Sequence, residues 1–149
     1  ARASGSTRDS RKDIGYGIYD ELDFEVITET AGDVEARIKV RIGEVAQSLK
    51  LVRQLISKLR RNAETQLAVE LGELQQEEGH FTWGISESAR GDNLHCLLLD
   101  KEGRIDRLFV RSASYPNWPA LTVAVQGDII PDFPLINKSF ELCYACIDR

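Results

Sequence analysis

The sequence predicts an α+β fold, mainly helical, with one long bundle helix, an antiparallel β-hairpin or small sheet, and short C-terminal helices. Three observations predict it. Apolar residues recur at spacings of three and four from Val34 to Leu59, the pattern of a helix with one covered face. Two strand-like runs, Leu94 to Leu99 and Ile105 to Val110, flank a polar stretch that contains Gly103. Beyond the hairpin Pro116, Pro119, Pro131 and Pro134 punctuate the chain, so a long regular element does not fit there.

Residues 1–32 have no clear period. Tyr16, Tyr19 and Phe24 stand among glycines and acidic residues, which reads as an irregular wrap over something else. The long helix is expected over 33–60. Asp33 is a good N-cap and Glu35 sits where the helix dipole favours an acid. Its main stripe is Val34, Ile38, Ile42, Val45, Leu49, Val52, Ile56 and Leu59, and Val40, Leu51 and Leu55 widen it. Gly43 is the weak point. Such a helix would be roughly 40 Å long, against a radius of gyration of roughly 15 Å for a domain of this size. It looks built for a bundle whose other helices are not all in this sequence, so an isolated piece is expected to self-associate, its stripe covered by another copy as a homo-oligomer. The basic residues at 37, 39, 41, 50, 53, 58, 60 and 61 read as its solvated face. Residues 62–79 are Glu/Gln-rich and fit either a short helix or an ordered loop. Residues 84–111 read as a loop and hairpin, with Gly103 supplying a positive φ. Residues 112–149 read as short helices, one starting at Pro119, followed by the terminal cysteines.

With 149 residues there is room for one ordinary domain. A net charge of -5 argues against a general nucleic-acid or membrane-surface binder, and no apolar run approaches the roughly eighteen residues that span a bilayer. Three cysteines do not make a disulfide framework. A reducing, cytoplasmic setting is expected, with any membrane association peripheral, on the inner face and through partners.

The chemistry concentrates at the end. Cys143-Tyr144-Ala145-Cys146 places two thiols one helical turn apart, where they can point at one metal, and thiolates suit nickel, iron and zinc. A bare C-x-x-C is also a redox dithiol or half a zinc site. Its context narrows it. Upstream lie Glu87-Ser88-Ala89-Arg90-Gly91-Asp92-Asn93-Leu94-His95 and then Val110-Arg111-Ser112-Ala113-Ser114-Tyr115-Pro116, while Ala1-Arg2-Ala3-Ser4-Gly5 with Asp9 and Arg11 opens the sequence.

This order resembles the C-terminal portion of the large, catalytic subunit of nickel-iron hydrogenases. The likeness is to the energy-converting branch, which includes formate hydrogenlyase and is related to the hydrogenase-like subunit of respiratory complex I. In that family E-x-P-R-G-E, then an I-R-x-P-S-type stretch, then D-P-C-x-x-C-x-x-R follow one another in the same order. The resemblance covers nearly the whole chain and implies one that starts inside a longer protein, with Arg149 at a processed end or an engineered one. It implies Cys143 as a terminal nickel ligand and Cys146 as a bridge to iron. Arg90 would hang over the open coordination position, Ser114 would hydrogen-bond a cyanide on iron, and His95 would join the cofactor surroundings. The plain alternatives are a reduced dithiol or local disulfide, a surface Arg90 paired with Glu87 or Asp92, a turn serine and a structural histidine. Asp132 matches a family aspartate of structural or proton-relay role. Gly91 is assigned to close packing.

The cofactor so implied, a nickel-iron centre with CO and cyanide ligands, needs four thiolates. Only Cys96 remains besides the pair, so this piece alone is expected to bind none and to be inactive. The implied partners are the N-terminal half of the same subunit, an iron-sulfur small subunit and further membrane-complex subunits. The sequence departs from the pattern at Ala89 and Ala113, where proline is usual, at Asp92, at Glu141-Leu142 and at Gln126-Gly127-Asp128. These departures keep a second reading open: a complex-I-type electron-transfer or scaffold subunit beside a cluster and a quinone, related to NADH:quinone oxidoreductase. A stand-alone zinc module lacks a second ligand pair.

Overall fold

The computed structural model describes residues 1–61 and 80–146. The expectations for 62–79 and for Arg149 fall outside them. The chain opens with a 3-10 turn at Arg2–Ser4, a short helix α1 (Ser10–Asp13) and a second 3-10 turn at Tyr19–Glu21. It then enters the long helix α2 (Val34–Arg61). A three-stranded antiparallel sheet follows, β1 (Phe81–Ser88), β2 (Gly91–Leu99) and β3 (Ile105–Arg111), in the order β1-β2-β3. Helices α3 (Trp118–Ala124) and α4 (Phe133–Phe140) close the described chain.

Helix α2 has 28 residues. Asp33 Oδ1 accepts from Ala36 N at 2.7 Å, a cap that satisfies one of the free N–H groups of the first turn and is worth about 1 kcal/mol. Lys58, Arg60 and Arg61 stand in the last turn, where the dipole favours cations. The covered face is the lesser stripe. Val40 packs with Ala36 and Ala3, and Leu51 packs with Leu22 and Phe24, with Leu55 alongside. The main stripe, from Ile38 to Leu59, stays 44 to 67 % exposed. The opening segment therefore wraps α2 itself, through edge-on rings: Tyr16 on Tyr19 at 5.1 Å and Tyr19 on Phe24 at 6.0 Å.

Two sequence expectations are corrected. Residues 84–88 are not loop. They belong to β1, whose register with β2 runs from Phe81 opposite Leu98 to Ser88 opposite Gly91; the alternation Phe81, Trp83, Ile85 is only three apolar residues long, and the run also holds Gly84 and Glu87, of low strand propensity. The basic residues of α2 are not all solvated. Arg37 Nε donates to Ser139 Oγ at 2.8 Å, Nη1 donates to Gly32 O at 2.7 Å, and Arg41 donates to the Ser139 carbonyl. Lys50 and Lys58 do stay on the solvated side, in surface ion pairs with Asp23 and Glu21 at 2.7 and 2.6 Å. As expected, Pro131 and Pro134 leave no long regular element after them among the described residues. Each falls at the start of a helical segment, the 3-10 turn Ile130–Asp132 and α4, where a missing N–H costs nothing. The hairpin loop is held by Asp100, whose Oδ1 accepts from Glu102 N and Arg104 N, while Gly103 takes φ +74.

A candidate thiol site at the meeting of three segments

Three pieces of chain converge beside the cysteines. The first is the two-residue turn Ala89–Arg90 between β1 and β2. Ser88 Oγ donates across it to Gly91 O at 2.9 Å, and Gly91 takes φ +122. Nothing among the described residues lies within 4 Å of a side chain built there. Glycine is required here for its backbone conformation, which L residues rarely adopt, and not for close packing.

The second piece follows β3. Ala113 and Ser114 are buried, held where Ala113 N donates to Asn93 Oδ1 at 2.9 Å. Asn117 Nδ2 donates to the carbonyls of Ala113 at 2.7 Å and Arg90 at 2.9 Å, which ties the first piece to the second.

The third piece leaves α4 through Glu141, a non-glycine at φ +51. That left-handed cap reverses the chain, its N–H donating to Lys138 O at 3.0 Å, and sends Leu142 inward and Cys143 back toward the first two pieces. Cys143 N donates to Ser114 Oγ at 3.1 Å. Arg90 Nε donates to the Glu141 carbonyl. The Glu141 carboxylate lies 3.7 Å from both Arg90 Nη2 and Arg41 Nε.

The thiols face one another. A hydrogen bond from Cys146 holds Cys143 below the usual thiol range, helped by the N–H groups of Cys146 and Ala145 and by the charge of Arg90. The same bond pushes Cys146 up. Ser112 Oγ opposes that rise from beside Cys146 without forming a well-aligned hydrogen bond. The two shifts thus run in opposite directions, Cys143 toward the thiolate and Cys146 toward the thiol. A cleft of about 280 Å³ opens at Cys143, lined also by Arg90, Asn137, Glu141 and Tyr144. A larger one of about 700 Å³ runs from Arg2 and Arg37 past Glu87 to the other side of Arg90. Arg90 stands in the wall of both.

Of the residues singled out from sequence, Cys143, Cys146, Arg90 and Ser114 meet here. His95 does not. It is exposed mid-strand on β2, opposite Gly84 and Val110, and lines neither cleft. Asp132 is exposed ahead of α4. The ion pairs considered for Arg90 go elsewhere, Glu87 to Arg2 and Asp92 to Arg111. Asn93, Asn117 and Arg41 were not foreseen, since one asparagine in a turn carries no signal of which carbonyl it will reach. No group of three or more His, Cys, Asp or Glu able to hold a metal occurs among the described residues. Two soft thiol donors in mutual contact fit half of a four-thiolate centre and cannot complete one.

The chain matches the family of the respiratory-chain NADH dehydrogenase 49 Kd subunit over residues 1–80 and 63–149, and it belongs to that family. Formate hydrogenlyase subunit 5 of Escherichia coli is 36% identical over 151 residues, which is 99% of this chain and 25% of that protein. The carbon monoxide-induced hydrogenase of Rhodospirillum rubrum is 34% identical over 149 residues, 100% of this chain and 40% of that protein. A subunit of the NADH-quinone oxidoreductase of Salinispora tropica is 36% identical over 152 residues, 100% of this chain and 38% of that one. Among solved structures, a chain of the membrane-bound sulfane sulfur reductase, an archaeal respiratory membrane complex, matches with TM-score 0.86 and 28% identity, covering 99% of this chain and 41% of that chain. The chain therefore spans between a quarter and about two fifths of the length of these relatives. The resemblance read from the motifs holds. No helix among the described residues is long and apolar enough to cross a membrane.

Proposed function

We propose that this chain is part of the catalytic subunit of a hydrogenase-type oxidoreductase, interconverting H₂ with protons and electrons within a membrane-associated complex. The observation that carries the reading is the meeting of the Cys143–Cys146 thiol pair with Arg90 and Ser114. Cys143 and Cys146 would supply two of four thiolates, and the remaining pair would come from the N-terminal half of the parent. A nickel-iron centre with CO and cyanide ligands, when bound, supplies the redox chemistry. The chain's own groups do the rest. Arg90 offers fixed donors and a permanent charge at the mouth of both clefts. Ser114 accepts from Cys143 N and so retains its hydroxyl hydrogen for an anionic acceptor. Cys143, the thiol biased toward the thiolate beside Arg90, would both hold metal and pass on a proton. Electrons would leave through an iron-sulfur partner subunit.

A complex-I-type electron-transfer or scaffold subunit is the second reading. It is favoured by the family matched and by the equal identity to the NADH-quinone oxidoreductase relative. The retained thiol pair is what the first reading uses and the second does not.

The test is metal content and turnover of the full-length parent in its complex. Stoichiometric nickel and iron with H₂-dependent dye reduction is expected. Arg90→Lys should cut that turnover roughly 100- to 1000-fold with metals retained, because lysine keeps the charge and loses the planar fork. Cys143→Ser should abolish metal incorporation. A metal-free complex that still passes electrons to a quinone would favour the second reading. Normal turnover with Arg90→Lys would reduce Arg90 to an ion-pair residue.

A further inference from the structure

The turn that carries Arg90 is short, exposed at its tip and held from two sides. Asn117 holds its far side. The near side is held by a residue that the proposed chemistry does not touch. Glu87, three positions before Arg90, has a side chain only 5% exposed. Its Oε1 accepts from Arg2 Nη2 at 2.5 Å and its Oε2 from Ser10 N at 2.9 Å. Its own N–H donates to Tyr16 Oη at 2.8 Å. Arg2 in turn meets Asp9 Oδ2 at 3.0 Å and the Glu44 carboxylate on α2. One buried carboxylate thus locks the end of β1 to the opening segment and, through Arg2, to the long helix.

We propose that Glu87 is a positioning residue, which fixes the β1–β2 turn against the opening segment and thereby sets where Arg90 stands relative to the thiol pair. The mechanical link is short. After Glu87 the ladder has one pair left, Ser88 opposite Gly91, so a shift of Glu87 passes to Arg90 with little slack. Asp92, opposite Glu87 in the ladder, does not stand in for it, since its carboxylate is engaged with Arg111. The inference rests on the reading of Arg90 as a functional residue only where turnover is the readout. The fixing of the turn stands apart from it.

Two measurements on the full-length parent complex separate these. The first is amide hydrogen exchange over residues 88–92. Glu87→Gln keeps the shape and removes the charge that holds Arg2. It should raise exchange there about tenfold or more while α2 is unchanged. Tyr16→Phe, which removes only the hydroxyl that accepts from Glu87 N, should raise it less. Unchanged exchange in both variants overturns the proposal. The second is a double-mutant cycle on H₂-dependent dye reduction. Glu87→Gln should slow turnover about 10- to 100-fold, with nickel and iron content unchanged. The double variant with Arg90→Lys should be no slower than Arg90→Lys alone, because both losses act through one guanidinium. Multiplying losses overturn the positioning role. Should Arg90→Lys turn over normally, the functional reading of Arg90 fails, and the exchange result alone then decides whether Glu87 fixes the turn.

Discussion

Asp9 carries its charge on a side chain with no exposed surface. Four donors meet its two oxygens: Arg2 Nη2, and the N, Nε and Nη2 of Arg11 at 2.6 to 3.0 Å. Burial pushes its pKa up, but the hydrogen bonds from Arg11 and the charge of Arg2 outweigh that and hold it below the usual carboxylate value. A carboxylate depressed in the folded state stabilises the fold above its unfolded pKa of about 3.9, and that contribution fades as pH falls through the folded value. The melting temperature should therefore be unaffected by Asp9 between neutrality and pH of about 5, and Asp9 should contribute to the loss below about 4. Asp9→Asn should cost on the order of 3 kcal/mol at neutral pH, because two guanidinium groups lose a buried partner, and should make the acid limb shallower. Thermal melts of both proteins across pH decide it, and an unchanged acid limb would show that other carboxylates carry it. At this scale the sequence was partly legible. Cysteine spacing and the Ser-Ala-Arg-Gly motif located Arg90 and the thiols. The partners of Arg90 were not legible, because Glu141 and Asn117 reach it from about fifty and about thirty residues away.

Gly43 shows what one position can mean for a whole element. Within α2 it looks like a defect, since glycine in a helix interior costs up to about 1 kcal/mol relative to alanine. A Cβ at that position would stand 2.7 Å from Ile27 Cγ2 and 3.1 Å from Ile27 Cγ1, closer than carbon atoms pack. The glycine lets the extended segment after Phe24 lie directly on the helix. Gly43→Ala should destabilise by about 1–2 kcal/mol despite its better helix propensity, the overpacking cost exceeding the gain. Denaturant unfolding measures it, and a stabilised variant would mean that Ile27 moves aside freely. Elements were legible where one period ran long, as in α2, or where a turn residue marked a loop, as at Gly103. They were hidden where the apolar alternation was short, as in β1 with only Phe81, Trp83 and Ile85. Which of the two α2 stripes would be covered was not legible either, because Ala3, Leu22 and Phe24 are brought to it only by the fold.

On the scale of the whole molecule, most of what α2 was built to bury is not buried by the described chain. Seven large apolar side chains, Ile38, Ile42, Val45, Leu49, Val52, Ile56 and Leu59, are exposed along one face. The sheet adds a second face, where Trp83 and Phe109 flank Cys96 in register and Phe81 lies two residues from Trp83, all three aromatics exposed. A soluble monomer rarely carries contiguous apolar patches beyond a few hundred Å². Relatives two and a half to four times as long have further chain with which to cover such faces. The 149-residue polypeptide alone should therefore self-associate across a dilution series in the ultracentrifuge, whereas the same face within the parent should be protected. Ile42→Glu combined with Leu49→Glu should shift the polypeptide toward monomer with its helix content unchanged, since two charges on the stripe cannot be desolvated in a helix–helix seam without a partner. In the full-length parent the same pair should instead lower stability by several kcal/mol if the stripe is core there, because an unpaired buried carboxylate is among the costliest substitutions. A wild-type polypeptide that sediments as a clean monomer, or a parent that tolerates both glutamates, would mean that this face is a solvated surface and that α2 is not a bundle helix.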